Sequence, residues 1–165
     1  MRHILSVLVE NEPGVLSRVA GLFSGRGFNV ESLNVAPTLD KGVSHMTITT
    51  TGDAAIIEQI VKQLRKLVTV IKVVDFTQLA AVEREMILIK VNADDERRDE
   101  VMRLVDIFRC KVSDISPDDV TIEATGTHDK LQALVALLTK FGVRDIARTG
   151  VVAMRRSMQN NHDIL

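Results

Sequence analysis

The sequence predicts an α+β fold of two βαββαβ domains in tandem, and three observations carry that prediction. A strand–helix–strand–strand–helix–strand order of hydrophobic patterns fills the first half of the chain and returns in the second. Each helical segment carries one apolar stripe at three- and four-residue spacing. The strand segments are short apolar or alternating runs bounded by turn residues.

The first strand is the apolar run Ile4 to Val9. Asn11-Glu12-Pro13-Gly14 then forms a tight turn into a helix over Gly14 to Ser24, with Val15, Leu16, Val19, Leu22 and Phe23 on one face. Asn11 is placed to cap the helix, Pro13 suits its first turn, and Gly14 has no side chain. Such a start presents unpaired backbone amides and a positive dipole end, where the carboxylate of a small amino acid could sit. An ordinary capped helix would show the same residues. Gly25-Arg26-Gly27 closes the helix and leads into a strand, which is C-cap chemistry rather than a phosphate loop.

The second strand, Phe28 to Val35, contains a phase slip. Phe28 and Val30 alternate with Asn29 and Glu31, but the apolar phase then jumps to Leu33 and Val35. A slip of this kind predicts a bulge. Asn29 falls on the face opposite Phe28, near the sheet edge, where its amide can meet a ligand or solvent. Pro37 to Gly42 forms a hairpin into the strand Val43 to Thr50. A helix over Ala54 to Lys66 carries Ile56, Ile57, Ile60, Val61 and Leu64, and the strand Val70 to Phe76 completes the first unit.

The second unit repeats the order: strand Met86 to Val91, helix Arg97 to Arg109, strands Lys111 to Ile115 and Val120 to Ala124, helix Lys130 to Lys140, and strand Val143 to Met154. Its stripes are Val101, Leu104, Val105 and Phe108, then Leu131, Leu134, Val135 and Leu138. Both halves follow the ferredoxin-like plan. The expected domains are 1–78 and 86–165, joined by a linker over 79–85, and the polar tail from Arg155 reads as disordered. Two helices on one face of an antiparallel sheet leave the other face to be covered, which predicts an oligomer.

Composition narrows the function classes. A hydrophobic share of 45% and a charged share of 26% are those of a globular domain, and a net charge of −1 argues against nucleic acid as partner. Cys110 is the only cysteine, which excludes an intrachain disulfide and fits a reducing, cytoplasmic setting. Glu10 and Asn11 break the first apolar run too early for a signal peptide or membrane span. With no Trp and no Tyr, base or sugar stacking has little support.

Catalytic constellations are sparse. His3, His45, His128 and His162 show no metal-ligand spacing. Ser6, Ser17, Ser24 and Ser32 have no base at a recognisable spacing. Cys110 beside Arg109 reads as a partly buried structural thiol. Asp94-Asp95-Glu96 stands where a helix begins and reads as dipole compensation.

The run Asn11-Glu12-Pro13-Gly14-Val15-Leu16-Ser17-Arg18-Val19, continued by Gly21 to Leu33, resembles the ACT domain of the small regulatory subunit of acetohydroxyacid synthase (acetolactate synthase). The resemblance continues through Val35 to Thr38, Ser44 to Ile48, and Gln59 to Leu67, with Pro13 at a position where the family pattern varies. In the second half it rests on Glu83-Arg84-Glu85, Ile107-Phe108-Arg109, Gly126-Thr127 with Lys130, and Arg148 to Val152.

The resemblance implies a non-catalytic subunit that activates a large catalytic subunit and confers feedback inhibition by a branched-chain amino acid, L-valine. Thiamine diphosphate, magnesium and FAD are then expected on the catalytic partner and no cofactor on this chain. It implies a homodimer through the ACT domains, with Asn11, Gly14, Val15 and Leu16 of one protomer and Asn29 and Val30 of the other around the effector. Gly14→Asp is expected to set a carboxylate against the effector's own with folding largely intact. A stand-alone ACT-type amino-acid sensor or transcription co-regulator is the alternative.

Overall fold

The computed structural model describes residues 1–77 and 79–157. Its contacts divide the chain into two compact units, one of Met1–Val82 with the described residues from Ala153 onward, the other of Glu83–Val152.

The first unit runs β1 (Arg2–Glu10), α1 (Val15–Gly25), β2 (Val30–Pro37), β3 (Val43–Thr51), α2 (Ala54–Leu64) and β4 (Val70–Asp75), with sheet order β2-β3-β1-β4. β3 is antiparallel to both β1 and β2, so β1 and β2 run parallel and α1 is the crossover between them. The period-two pattern sends Leu5, Val7 and Val9 to one face of β1, level with Met46 and Ile48 on β3 and Val73 on β4. Val15, Val19, Leu22 and Phe23 of α1 and Ile57, Ile60 and Leu64 of α2 close over that face. Asp53 caps α2, its Oδ1 accepting the Ile56 N–H at 2.9 Å. The β2 phase slip is a register shift between Val30 and Ser32.

The second unit runs β5 (Ala81–Asn92), α3 (Arg98–Ile107), β6 (Lys111–Ile115), β7 (Asp119–Gly126), α4 (His128–Thr139) and β8 (Val143–Arg148), in the order β6-β7-β5-β8. Its core joins Ile87, Ile89 and Val91 to Val120, Ile122 and Ala124 under Val101, Val105, Leu131, Leu134 and Leu138. Glu85 is buried, with Arg148 Nη1 at 3.6 Å and His128 Nδ1 at 3.9 Å from its Oε2.

Several element boundaries differ from the sequence reading. Residues 81–85, expected as linker, already belong to β5, because Glu85 pairs with Gly126 and Arg156 N–H bonds the Ala80 carbonyl. The last strand is two pieces: after β8 the chain breaks at Gly150, with φ 79°, before β9 (Val152–Arg155) pairs with β5. Up to that break the chain still follows β5, with the Thr149 N–H donating to the Met86 carbonyl at 3.0 Å. The third helix starts one residue late, since Asp94 Oδ1 holds Arg97 N–H in the preceding turn at 3.1 Å. The tail expected from Arg155 includes the end of β9, and 158–165 lies outside the described residues.

Leu134→Ala removes a fully buried side chain and is expected to lower unfolding stability by about 2–5 kcal/mol. Asp53→Ala, which deletes the α2 cap, is expected to lower it by about 1 kcal/mol. Urea denaturation of the two variants measures both.

Candidate functional site

The turn after β1 is built by hydrogen bonds to its neighbours. Glu10 N–H donates to the Thr69 carbonyl at 2.9 Å, and Asn11 N–H to the Gly42 carbonyl at 2.8 Å. The Asn11 side chain donates through Nδ2 to the Lys41 carbonyl at 2.9 Å. Asn11 therefore pins the turn to the β2–β3 hairpin instead of capping α1. The N-cap is Gly14, in the left-handed region at φ 87° and ψ −8°, with no side-chain cap bond. Pro13 stays in the turn ahead of the helix rather than in its first turn.

This arrangement leaves the start of α1 electropositive. No acidic residue stands in its first turn, and no side chain takes up its leading amides. An anion such as a carboxylate is suited to that position. An added Cβ at Gly14 would meet nothing within 4 Å, so the position is open rather than crowded, and a substitution there strains the backbone instead. Leu16 is 44% exposed beside the turn, whereas Val15 is buried and committed to the core.

Asn29 and Val30 lie elsewhere. Arg26 is the C-cap of α1, Gly27 follows at φ 67°, and Phe28 N–H bonds the Phe23 carbonyl at 3.0 Å. This bears out the C-cap reading of Gly25-Arg26-Gly27. Asn29 is exposed just ahead of β2, and its carbonyl accepts the Thr50 hydroxyl. Between α1 and β2 lies a cavity of about 290 Å³, lined among others by Val19, Ala20, Phe23, Asn29, Val30 and Leu33.

The register separates these groups. Val30 pairs with Thr50, which pairs with His3, so Asn29 stands near the beginning of β1. Asn11 follows its end. At about 3.3 Å per strand residue the two asparagines stand roughly 25 Å apart along the sheet. A single protomer does not bring them to one small ligand.

One pairing was not visible in the sequence. Ser6 on β1 and His45 on β3 meet on the sheet face opposite the helices, Oγ to Nε2 at 2.7 Å. The serine thus has an imidazole partner that no sequence spacing indicated, because antiparallel register created it. Cys110 is half-buried against the second core, and burial pushes its thiol up. Among the described residues no group of three or more His, Cys, Asp or Glu could hold a metal ion. No helix there is long and apolar enough to cross a membrane.

Burial pushes His45 below its ordinary value of 6.5. The unfolded chain therefore binds this proton more readily than the folded one, and stability should fall as pH drops through 6.5 and below. His45→Gln should flatten that part of the dependence, read from urea midpoints at neutral and mildly acidic pH.

Comparison with known proteins covers nearly the whole chain. A family model described as AHAS small subunit-like ACT domain matches residues 5–72, and one described as small subunit of acetolactate synthase matches 84–157. The chain is 54% identical over 158 residues to an acetolactate synthase small subunit of Aquifex aeolicus, covering 95% of this chain and 82% of that protein. It is 51% identical over 161 residues to that of Haemophilus influenzae, covering 97% and 99%. The crystal structure of the acetolactate synthase small subunit from Thermotoga maritima superposes with a TM-score of 0.87 at 46% identity, over 96% of this chain and 99% of that one.

Proposed function

The chain belongs to the acetolactate synthase small-subunit family and carries an ACT domain; on that premise we propose that it regulates the synthase's catalytic subunit by binding valine. The observation that supports this reading is the separation of Asn11 from Asn29 along the sheet.

β2 is an edge strand, so its outer backbone groups can pair with a second copy. A two-fold axis near Leu33 and Asn34 would set β2 antiparallel to the partner's β2. The partner's Val30 then comes level with Pro37, which pairs with Ser44, itself opposite Val9. The partner's Asn29 thereby arrives beside Asn11 and the start of α1. The roughly 25 Å gap within one chain closes between two.

The joint has the groups that a zwitterion needs. The leading amides of α1 receive the carboxylate. The side-chain oxygens of Asn11 and the partner's Asn29 accept from the ammonium. The exposed Leu16 and the half-buried Val30 offer apolar surface to an isopropyl group. A ligand bridging two protomers favours one mutual orientation, and through it one state of the catalytic subunit. Coupling of about 1–3 kcal/mol suffices for roughly 5- to 150-fold control. Thiamine diphosphate, magnesium and FAD reside on the catalytic partner in this reading, within a cytoplasmic complex.

Calorimetric titration of the full chain with L-valine should show saturable binding that Asn29→Ala loses. Adding valine to the complex with the catalytic subunit should lower its rate; binding without any change in rate would reject the regulatory role. Gly14→Ala and Gly14→Asp both strain the left-handed backbone, Ala by about 1–2 kcal/mol and Asp by less, and only the second adds a charge. Valine resistance is therefore expected in Gly14→Asp and not in Gly14→Ala, and equal sensitivity of the two would reject the carboxylate's placement.

A further inference from the structure

Three loops meet at the end of the first unit where β1 stops, and hydrogen bonds join them. The Asn11 turn lies between the β2–β3 hairpin, whose Lys41 and Gly42 carbonyls accept from Asn11, and the α2–β4 loop, whose Thr69 carbonyl accepts from Glu10. Each flanking loop carries an aliphatic side chain that its own fold leaves bare. Leu39 is 106% exposed and Val68 95%, the two highest values of any large hydrophobic residue among those described. Single exposed aliphatics are ordinary on a protein surface, but these two flank one turn at one end of the unit. Both are also held in place. In the hairpin, Asp40 Oδ1 accepts the Gly42 N–H at 2.8 Å, and the Thr38 N–H donates to the Val43 carbonyl at 2.9 Å, so Leu39 rides on a closed turn. In the other loop Leu67 packs on the core and Thr69 is buried, which leaves Val68 between them turned outward. Side chains fixed before contact lose little freedom on binding.

We propose that these two loop tips dock the catalytic subunit, with Leu39 and Val68 entering apolar surface on it on either side of the Asn11 turn. The proposal rests on the reading that this chain regulates a catalytic subunit through that turn. The strand order puts Leu39 over β2 and β3 and Val68 at the head of β4, roughly 12 Å apart at about 4.8 Å per strand. A second copy paired along β2 lies beyond one edge of the sheet and Val68 at the other, so that copy does not reach Val68. The partner that a small subunit implies is a larger, catalytic one. A carboxylate at the start of α1 sits between the two contacts. The bonds from Glu10 and Asn11 tie both docking loops to the turn that holds it, so its presence is felt at both.

The test is titration of the catalytic subunit with the full chain, in wild type, Leu39→Asp and Val68→Asp, read as activation of its rate. Neither substitution removes a packed side chain, so thermal melts should match wild type. Each variant is expected to associate about tenfold more weakly or worse, because a carboxylate is forced against apolar surface. The affinity of the free variant chains for L-valine should stay that of wild type. Wild-type association in either variant would overturn the docking surface. So would a loss that comes with weakened valine binding or with a changed homo-oligomeric state in sedimentation. Should either aspartate variant fail to fold, Leu39→Ser or Val68→Ser takes its place under the same criteria. A wild-type chain that does not associate with the catalytic subunit overturns the regulatory reading itself, an outcome distinct from variants that bind as wild type does.

Discussion

The parallel alignment of β1 and β2 is the constraint on which the proposed site depends. α1 has to carry the chain back along the sheet, so the turn that begins it and the residues that follow it stand at opposite ends. Asn11 with Gly14 at one end and Asn29 at the other follow from that crossover, not from any side-chain preference. The same crossover leaves β2 at the edge of the sheet. The separation of Asn11 from Asn29 and the edge position of β2 therefore have one origin, and together they favour the two-fold arrangement proposed above.

Local chemistry shapes each half of the proposed site. At the first half, Gly14 takes a left-handed conformation, and the hairpin carbonyl of Lys41 holds Asn11, so the leading amides of α1 have no side-chain cap. At the second half, one extra residue in β2 turns Leu33 toward α1 and so forms a cavity wall. Both devices relinquish regular structure: a capped helix in one place, an even strand in the other. Departures of that kind concentrate where a protein meets a ligand.

The second unit repeats the topology with different detail. β6 has the edge position that β2 has in the first unit, yet it spans five residues where β2 spans eight. At the other side, the chain breaks at Gly150 after β8, and the Thr149 N–H still bonds the Met86 carbonyl. Glu85 sits buried between Arg148 and His128, so residues that looked like separate motifs in sequence, Glu83 to Glu85, Gly126-Thr127 and Arg148 to Val152, come to one end of one sheet. A buried carboxylate needs opposite charge close by, and Arg148 on the neighbouring strand β8 supplies it.

Element type, order and buried face were legible in the sequence because they follow from local periodicity: Leu5, Val7 and Val9 alternate, and Leu131, Leu134 and Leu138 recur at helical spacing. The bulge near Val30 was legible for the same reason, since a slip of phase is itself local. The meeting of Ser6 with His45, the capture of Asn11 by Lys41, and the burial of Val15 beside an exposed Leu16 were not. Each depends on which strands lie side by side and in what register, and non-local pairing leaves no mark on either partner's own neighbourhood. The sequence by itself determined two βαββαβ units and marked Asn11, Gly14 and Asn29 as polar or flexible positions at element ends. Only the tertiary structure decided that these residues stand a sheet's length apart, because strand direction and register are settled by packing across the whole unit.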